Sequence, residues 1–214
     1  MRVSDQEYSR DQRSFHLALR MLRHEARLNT ICAWTKFTEE RVRNLSRSHR
    51  RQQPRQESEP HRGPSPKRLA PLLATASLRS EVAALAGLCR VLGIIPEARL
   101  LNARKRLPSV TLGERLCEAF EFFQEIVPFA RLTFEQLVFL VFAVAEGETC
   151  SIDLCASCRA VILVDHLSLA RRICAHCQNA ERVTADGQRR EGEATLETPE
   201  EPLEPPGSQR RLFD

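Results

Sequence analysis

Two Cys-x-x-Cys motifs constrain this chain more than any other feature. Cys155-Ala-Ser-Cys158 and Cys174-Ala-His-Cys177 are separated by fifteen residues. This spacing is typical of a four-cysteine zinc site, in which two tight turns direct four thiolates at one tetrahedral ion. Four protein ligands leave no position for a catalytic water, so the motifs predict one structural Zn²⁺ per chain.

The sequence leaves some alternatives for these cysteines open. One Cys-x-x-Cys pair could instead act in thiol–disulfide exchange. Cys150, His166 or His176 could replace one of the four sulfurs. The remaining cysteines lie within helical patterns and are expected to be core residues: Cys32, Cys89 and Cys117.

We expect a cytoplasmic protein, in which closely spaced cysteines bind a metal rather than form disulfides. The first residues of the chain lack the apolar stretch of an export signal, and cysteines that stay in a reducing compartment remain thiols. The longest strongly apolar run, 137–145, is too short to span a membrane. We therefore expect no membrane association.

Apolar residues recur at helical spacing, which predicts a mainly α fold with a small C-terminal four-cysteine zinc module containing a short β element. The first helix has its inward stripe at Phe15, Leu19, Leu22 and Ala26, and a second follows over 28–34. A third, capped by Thr38, runs to about residue 49 and places Val42 and Leu45 inward.

Three more helices and one strand are predicted in the central and C-terminal parts. A fourth helix with Val82, Leu85, Cys89 and Leu92 stops at Gly93. A capping box at 111–114 opens the fifth, and Thr133 caps the sixth, the simplest arrangement of these two being an antiparallel pair. The sixth is apolar on nearly all sides, so it is either the centre of the domain or packed against another chain. The strand covers 161–164. The fifth helix has the inward stripe Leu112, Leu116, Ala119, Phe120, Phe123 and Val127.

The charge is distributed unevenly along the chain. Residues 1–68 hold 16 basic and 8 acidic groups, a net +8, whereas residues 181–214 hold 5 and 9, a net −4. A positive field at one end attracts a polyanion. Residues 48–68 contain four prolines and no other apolar side chain, a composition that predicts an extended connector. The segments are 1–50, helical and helix-turn-helix-like; 51–68, basic connector; 69–149, helical core and partner-binding region; 150–180, zinc module; and 181–214, disordered acidic tail.

Residues 28–51 have the outline of a helix, a three-residue turn and a second helix. Arginine can bind guanine in a bidentate manner and asparagine can bind adenine, while flanking arginines hold phosphates. An exposed helix with several arginines can also be only a solvated face. The candidate DNA-binding residues are Arg43, Asn44, Arg47, Arg50 and Arg51.

Four features in order resemble the FlhC family, the C subunit of the bacterial flagellar master transcriptional activator. They are Glu25-Ala-Arg-Leu28, the run 36–47, Arg62-Gly-Pro-Ser-Pro-Lys67, and the cysteine pairs ending in Gln178; the resemblance spans about residues 10–180. It implies a mainly helical subunit with a four-cysteine zinc centre. It also implies assembly with an FlhD-like partner, binding to promoter DNA and recruitment of RNA polymerase.

By position, the resemblance makes Cys155, Cys158, Cys174 and Cys177 the zinc ligands. The DNA-binding role falls on Arg43, Asn44, Arg47 and nearby arginines, with Arg159, Arg171 and Arg172 as secondary candidates. The chain departs from the family in two places. Its connector is longer, and residues 72–78 replace an expected aromatic segment.

Three further hypotheses complete the interpretation. FlhC-like proteins also act as activators on mobile conjugative elements. The chain could instead be a zinc-stabilised adaptor without DNA contact, in which helix 137–145 binds a partner. An enzyme is the weakest hypothesis, because no paired carboxylates, phosphate loop or nucleophile–base arrangement stands out. We expect no small-molecule substrate.

Overall fold

The computed structural model describes residues 5–52, 66–95, 107–169 and 171–183. The chain divides into two compact units, 1–177 and 178–214. In the second unit, residues 178–183 are described and are helical. Most of the predicted connector and nearly all of the predicted acidic tail lie outside the described residues.

The N-terminal region consists of three helices that contact one another: α1 (Asp5–Arg23), α2 (Leu28–Thr35) and α3 (Glu39–Gln52). The three predicted helices are therefore confirmed. Thr38 caps α3 as expected, because its hydroxyl accepts a hydrogen bond from the Arg41 N–H at 3.4 Å. Trp34 at the end of α2 and Val42 in α3 are buried between the helices.

The predicted inward face of α1 is wrong at two of its four residues. Phe15 is exposed, Leu19 is only partly buried, and the buried positions are instead Ser14, Leu17, Ala18 and Met21. Both sets of residues have helical spacing, so the sequence pattern fits either face. Of the predicted set, Leu22 packs against the core and Ala26, just after the helix, is buried in it, so the prediction fails at Phe15 and Leu19.

Three further helices form the centre of the fold: α4 (Ala76–Val91), α5 (Val110–Ile126) and α6 (Phe134–Glu146), with a short 3-10 helix at Ala70–Leu73. The predicted capping box of α6 is confirmed at Thr133 and Gln136. The predicted cap of α5 is wrong, because α5 begins one residue after Ser109, whose hydroxyl accepts the Leu112 N–H at 3.4 Å. Thr111 and Glu114 instead bind Arg13 of α1.

Helix α6 lies in the core, so the first of the two predicted alternatives for it is correct. Phe134, Leu137, Leu140 and Val141 are each at most 1% exposed. The principal neighbours of α6 are α4 and the first strand, and those of α5 are α1 and α4, so the expected antiparallel pair is not the main packing.

A two-stranded antiparallel sheet follows α6. Strand β2 (Val161–Asp165) matches the prediction, whereas β1 (Cys150–Leu154) was not predicted. The sheet packs against α4 and α6, and Cys150 belongs to the main core. The protein is therefore mainly helical with a small sheet, as the sequence predicted.

Candidate metal centre and candidate nucleic-acid interface

The first cysteine pair lies in the turn that connects β1 to β2. The Cys155 N–H donates to the Ala160 carbonyl at 2.7 Å, and the Arg159 N–H donates to the Cys155 carbonyl at 3.0 Å. Arg159 adopts a left-handed backbone conformation, with φ of 63°. These bonds close a tight turn that holds the two thiols of Cys155 and Cys158 on the same side.

The second pair lies where the helix at residues 175–183 begins. The Ala156 N–H donates to the Arg172 carbonyl at 2.9 Å, which holds the chain before this pair against the first turn. The Cys177 N–H donates to the Cys174 sulfur at 3.4 Å. The first turn of this helix therefore directs a backbone N–H at the Cys174 sulfur.

The four sulfurs of Cys155, Cys158, Cys174 and Cys177 lie within 4.8 Å of one another. The Sγ atoms of Cys158 and Cys174 are 3.6 Å apart. Tetrahedral zinc with Zn–S bonds of about 2.3 Å places its sulfurs about 3.8 Å apart, so the cluster has the size that such an ion requires. The structure thus places these four cysteines in position to bind a metal ion.

The alternative ligands lie elsewhere. His166 uses Nδ1 with the Glu148 carbonyl at 3.0 Å and Nε2 with the Ser151 hydroxyl at 2.9 Å. Cys150 is buried in the main core, where burial raises the pKa of its thiol to about 11. His176 is exposed and outside the cluster. All four positions in the cluster are therefore sulfur.

The thiols of the cluster differ in acidity. Backbone N–H groups of Cys158 and Cys174 lower the pKa of Cys155 to about 6. Hydrogen bonding to the sulfurs of Cys158 and Cys174 raises the pKa of Cys177 to about 12. One thiolate therefore forms easily, and further ionisation in so small a space needs a cation to offset the repulsion.

No family model matches this chain, and a search of curated proteins finds no significant match. The geometry of the chain itself therefore carries the functional argument.

The predicted helix, three-residue turn and helix are present as α2, residues 36–38 and α3. Lys36 ends α2 in a left-handed conformation, with φ of 64°, and its N–H donates to the Cys32 carbonyl at 3.0 Å. Such a residue reverses the chain direction within three residues. Trp34 and Phe37 are buried beside the turn, which fixes α3 against α2.

The predicted DNA-binding residues lie on exposed positions of α3, but their side chains differ in availability. Arg43 forms an ion pair with Glu39 at 2.9 Å, and Arg50 donates to the Ser46 hydroxyl at 3.3 Å. Within the described part of the chain, Asn44, Arg47 and Arg51 have no hydrogen-bonded or ion-paired side-chain partner. These last three are the side chains that can bind a ligand without first breaking an internal contact.

Two further residues of α3, Arg41 and Glu40, were not among the site residues predicted from the sequence. Arg41 binds both carboxylate oxygens of Asp11, at 3.0 and 2.7 Å, and its guanidinium lies 3.9 Å from the Phe37 ring centroid. It therefore fastens α3 to α1. Glu40 is exposed on the same face as Asn44 and Arg47, four and seven residues later. That helical spacing could have placed Glu40 on this face from the sequence alone.

The secondary candidates Arg159, Arg171 and Arg172 are exposed near the cysteine cluster. Arg172 forms an ion pair with Asp153 at 2.9 Å. In the described residues, no helix combines the length and the apolar composition that crossing a membrane requires.

Proposed function

We propose that this chain is the DNA-binding subunit of a zinc-stabilised transcriptional activator that works with an FlhD-like partner at promoters of flagellar genes. The observation that carries the proposal is the α2–turn–α3 arrangement, which presents Asn44, Arg47 and Arg51 on one exposed helix face, without side-chain partners among the described residues. A helix of this kind fits the major groove, where arginine and asparagine read guanine and adenine. The resemblance to the FlhC family supports the same function, including recruitment of RNA polymerase.

The cysteine cluster supports zinc as the bound ion. Four sulfur donors select zinc or an iron–sulfur centre over magnesium or calcium, and a four-thiolate zinc ion is structural. Cys155, Cys158, Cys174 and Cys177 would hold the ion, whose charge would offset that of their thiolates, and would thereby join the hairpin turn to the segment around Cys174. We therefore propose a structural role for the ion and assign no reaction to it.

The test is DNA selection with the full chain, purified with zinc. Duplexes that bind are selected from a random library, and their affinity is measured against salt concentration. Arg47→Ala should weaken binding by about 1–3 kcal/mol if Arg47 contacts a base, or lower the salt slope by about one unit if it contacts phosphate. Arg131→Ala, which removes one exposed charge before α6, is the matched control and should change neither.

Selection of no sequence, with equal affinity in both variants, would contradict the proposal. In that case the adaptor function becomes the better interpretation, since an exposed apolar surface on α5 favours protein binding. A bound iron–sulfur centre in place of colourless zinc would contradict the metal assignment alone. Comparison of the selected sequence with promoters would then distinguish a flagellar regulon from that of a mobile conjugative element.

A further inference from the structure

Three apolar side chains in and just after the last turns of α5 are exposed. Phe122 is 51% exposed, Ile126 is 60% exposed, and Phe129, just beyond the helix, is 93% exposed. We call these three residues the α5 patch. Phe122 and Ile126 are neighbours on the helix surface at four-residue spacing. Large apolar side chains that are exposed close together in sequence make this end of α5 a candidate binding surface.

A row of glutamates borders the α5 patch on one side. Glu118 and Glu125 are seven residues apart and each lies three or four residues from Phe122, so they are adjacent to it on the helix surface. Glu118 has only a distant ion pair, 3.9 Å from Arg20, and its side chain is 55% exposed. Glu125 is exposed and has no ion pair in the described residues.

The neighbouring face of α5 shows how such a row is used. Glu114 and Glu121, also seven residues apart, bind Arg13 and Arg20 of α1, which have the same separation. Arg20 reaches Glu121 with contacts of 3.1 and 2.6 Å. Helix α1 therefore pairs two of its arginines with one acidic row of α5.

We propose that the α5 patch is the docking site for an amphipathic helix of a second protein, with two basic residues seven positions apart beside an apolar stripe. The basic residues would pair with Glu118 and Glu125, and the stripe would cover Phe122, Ile126 and Phe129. An antiparallel pairing of α5 with that of a second copy is disfavoured, because it would bring these glutamates of both copies together. The inference stands without DNA binding, and it gives the partner of the proposed complex a place to bind.

The experiment uses two synthetic helical peptides with the same apolar stripe. One carries arginine at two positions seven apart beside the stripe, and the other carries glutamate there. Fluorescence anisotropy measures their binding to the full, zinc-loaded chain. We expect the arginine peptide to bind at least tenfold more tightly, and the double change Glu118→Lys with Glu125→Lys to reverse that preference.

Variants of the patch locate the binding. Ile126→Ser and Phe129→Ser should each weaken the arginine peptide at least tenfold, whereas Leu167→Ser, at an exposed leucine in the loop after β2, should leave it unchanged. All three positions are exposed, so the variants should keep the urea midpoint of the unchanged chain. Arg47→Ala should not affect peptide binding, which separates this inference from the DNA-binding proposal.

Three results would overturn the proposal. The peptides could bind equally, the arginine peptide could bind the Phe129→Ser chain as tightly as the unchanged chain, or both could fail to bind. Sedimentation velocity measures whether the chain forms dimers through the α5 patch. A dimer of the chain that dissociates on Phe129→Ser would show that a second copy covers the patch instead.

Discussion

The same substitution, glycine to alanine, should have opposite effects in two helices of this protein. Gly113 lies in α5 where it crosses α1 and α2, and a Cβ there would be 2.7 Å from Leu17 Cδ2 and 3.1 Å from Trp34 Cε3. Gly87 lies in α4 against β2, and a Cβ there would be 3.9 Å from the nearest methyl groups of Val161. The first position is too crowded for a methyl group and the second accepts one at ordinary contact distance.

The expected free energies follow from two effects. Alanine in a helix is favoured over glycine by about 0.5–1 kcal/mol, and this gain applies to both positions. Overpacking a buried contact costs about 1–3 kcal/mol, and only Gly113→Ala incurs this cost, because Leu17 and Trp34 are buried. Gly87→Ala should therefore stabilise the chain, and Gly113→Ala should be less stable than Gly87→Ala by about 1–3 kcal/mol.

Urea unfolding of the zinc-loaded chain, followed by circular dichroism at 222 nm, measures both free energies of unfolding. The slope against urea must be the same in both variants for the comparison to hold. Equal stability of the two variants would refute the reasoning, since it would mean that Leu17 and Trp34 move aside without cost. A destabilised Gly87→Ala would refute the expected contact with β2.

Three other predictions concern the metal, pH and base reading. Chelating the zinc should increase hydrogen exchange at 155–160 and 171–177, measured by mass spectrometry. Helices α5 and α6 should stay protected, because the hairpin still packs on α4 and α6. A loss of protection throughout the chain would contradict this prediction. Burial lowers the pKa of His24 below 6.5, so the unfolded chain binds more protons and the free energy of unfolding should fall as pH drops below 6.5. His24→Gln should remove this dependence in urea titrations and the exposed control His16→Gln should not. If Glu40 accepts from a cytosine amino group, Glu40→Gln should relax the selected sequence at one position and tighten non-specific binding, whereas an unchanged selection would exclude that role.

The sequence predicted the local features of this fold well. The hydroxyls of Thr38 and Thr133 cap their helices as expected, because capping depends on residues within one turn. The four cysteines meet at one point because their spacing permits few other arrangements. Predictions that rest on a few neighbouring residues were confirmed in these cases.

The errors arose where a residue has two local uses and a distant neighbour decides between them. Thr111 and Ser109 are both possible caps for α5, and Arg13 of α1 takes Thr111 and Glu114 for an interhelical contact. The two apolar faces of α1 have the same periodicity, and only the positions of the other helices select one. Strand β1 has the same length as β2 but alternates apolar residues with Ser151 and Asp153, whereas β2 begins with four adjacent apolar residues, so only β2 had a clear strand pattern.

Helix α1 connects the two surfaces to which we assign binding. On one side Asp11 holds Arg41 of α3, and on the other Arg20 holds Glu121 of α5. Each exposed ion pair is worth about 1 kcal/mol or less, but buried contacts of Leu17 accompany them, so α3 and α5 keep a fixed relation through α1. A partner helix on α5 would thus be held in a set orientation to the Asn44 face. Under the proposed function, two such faces in one complex would read DNA at a fixed spacing.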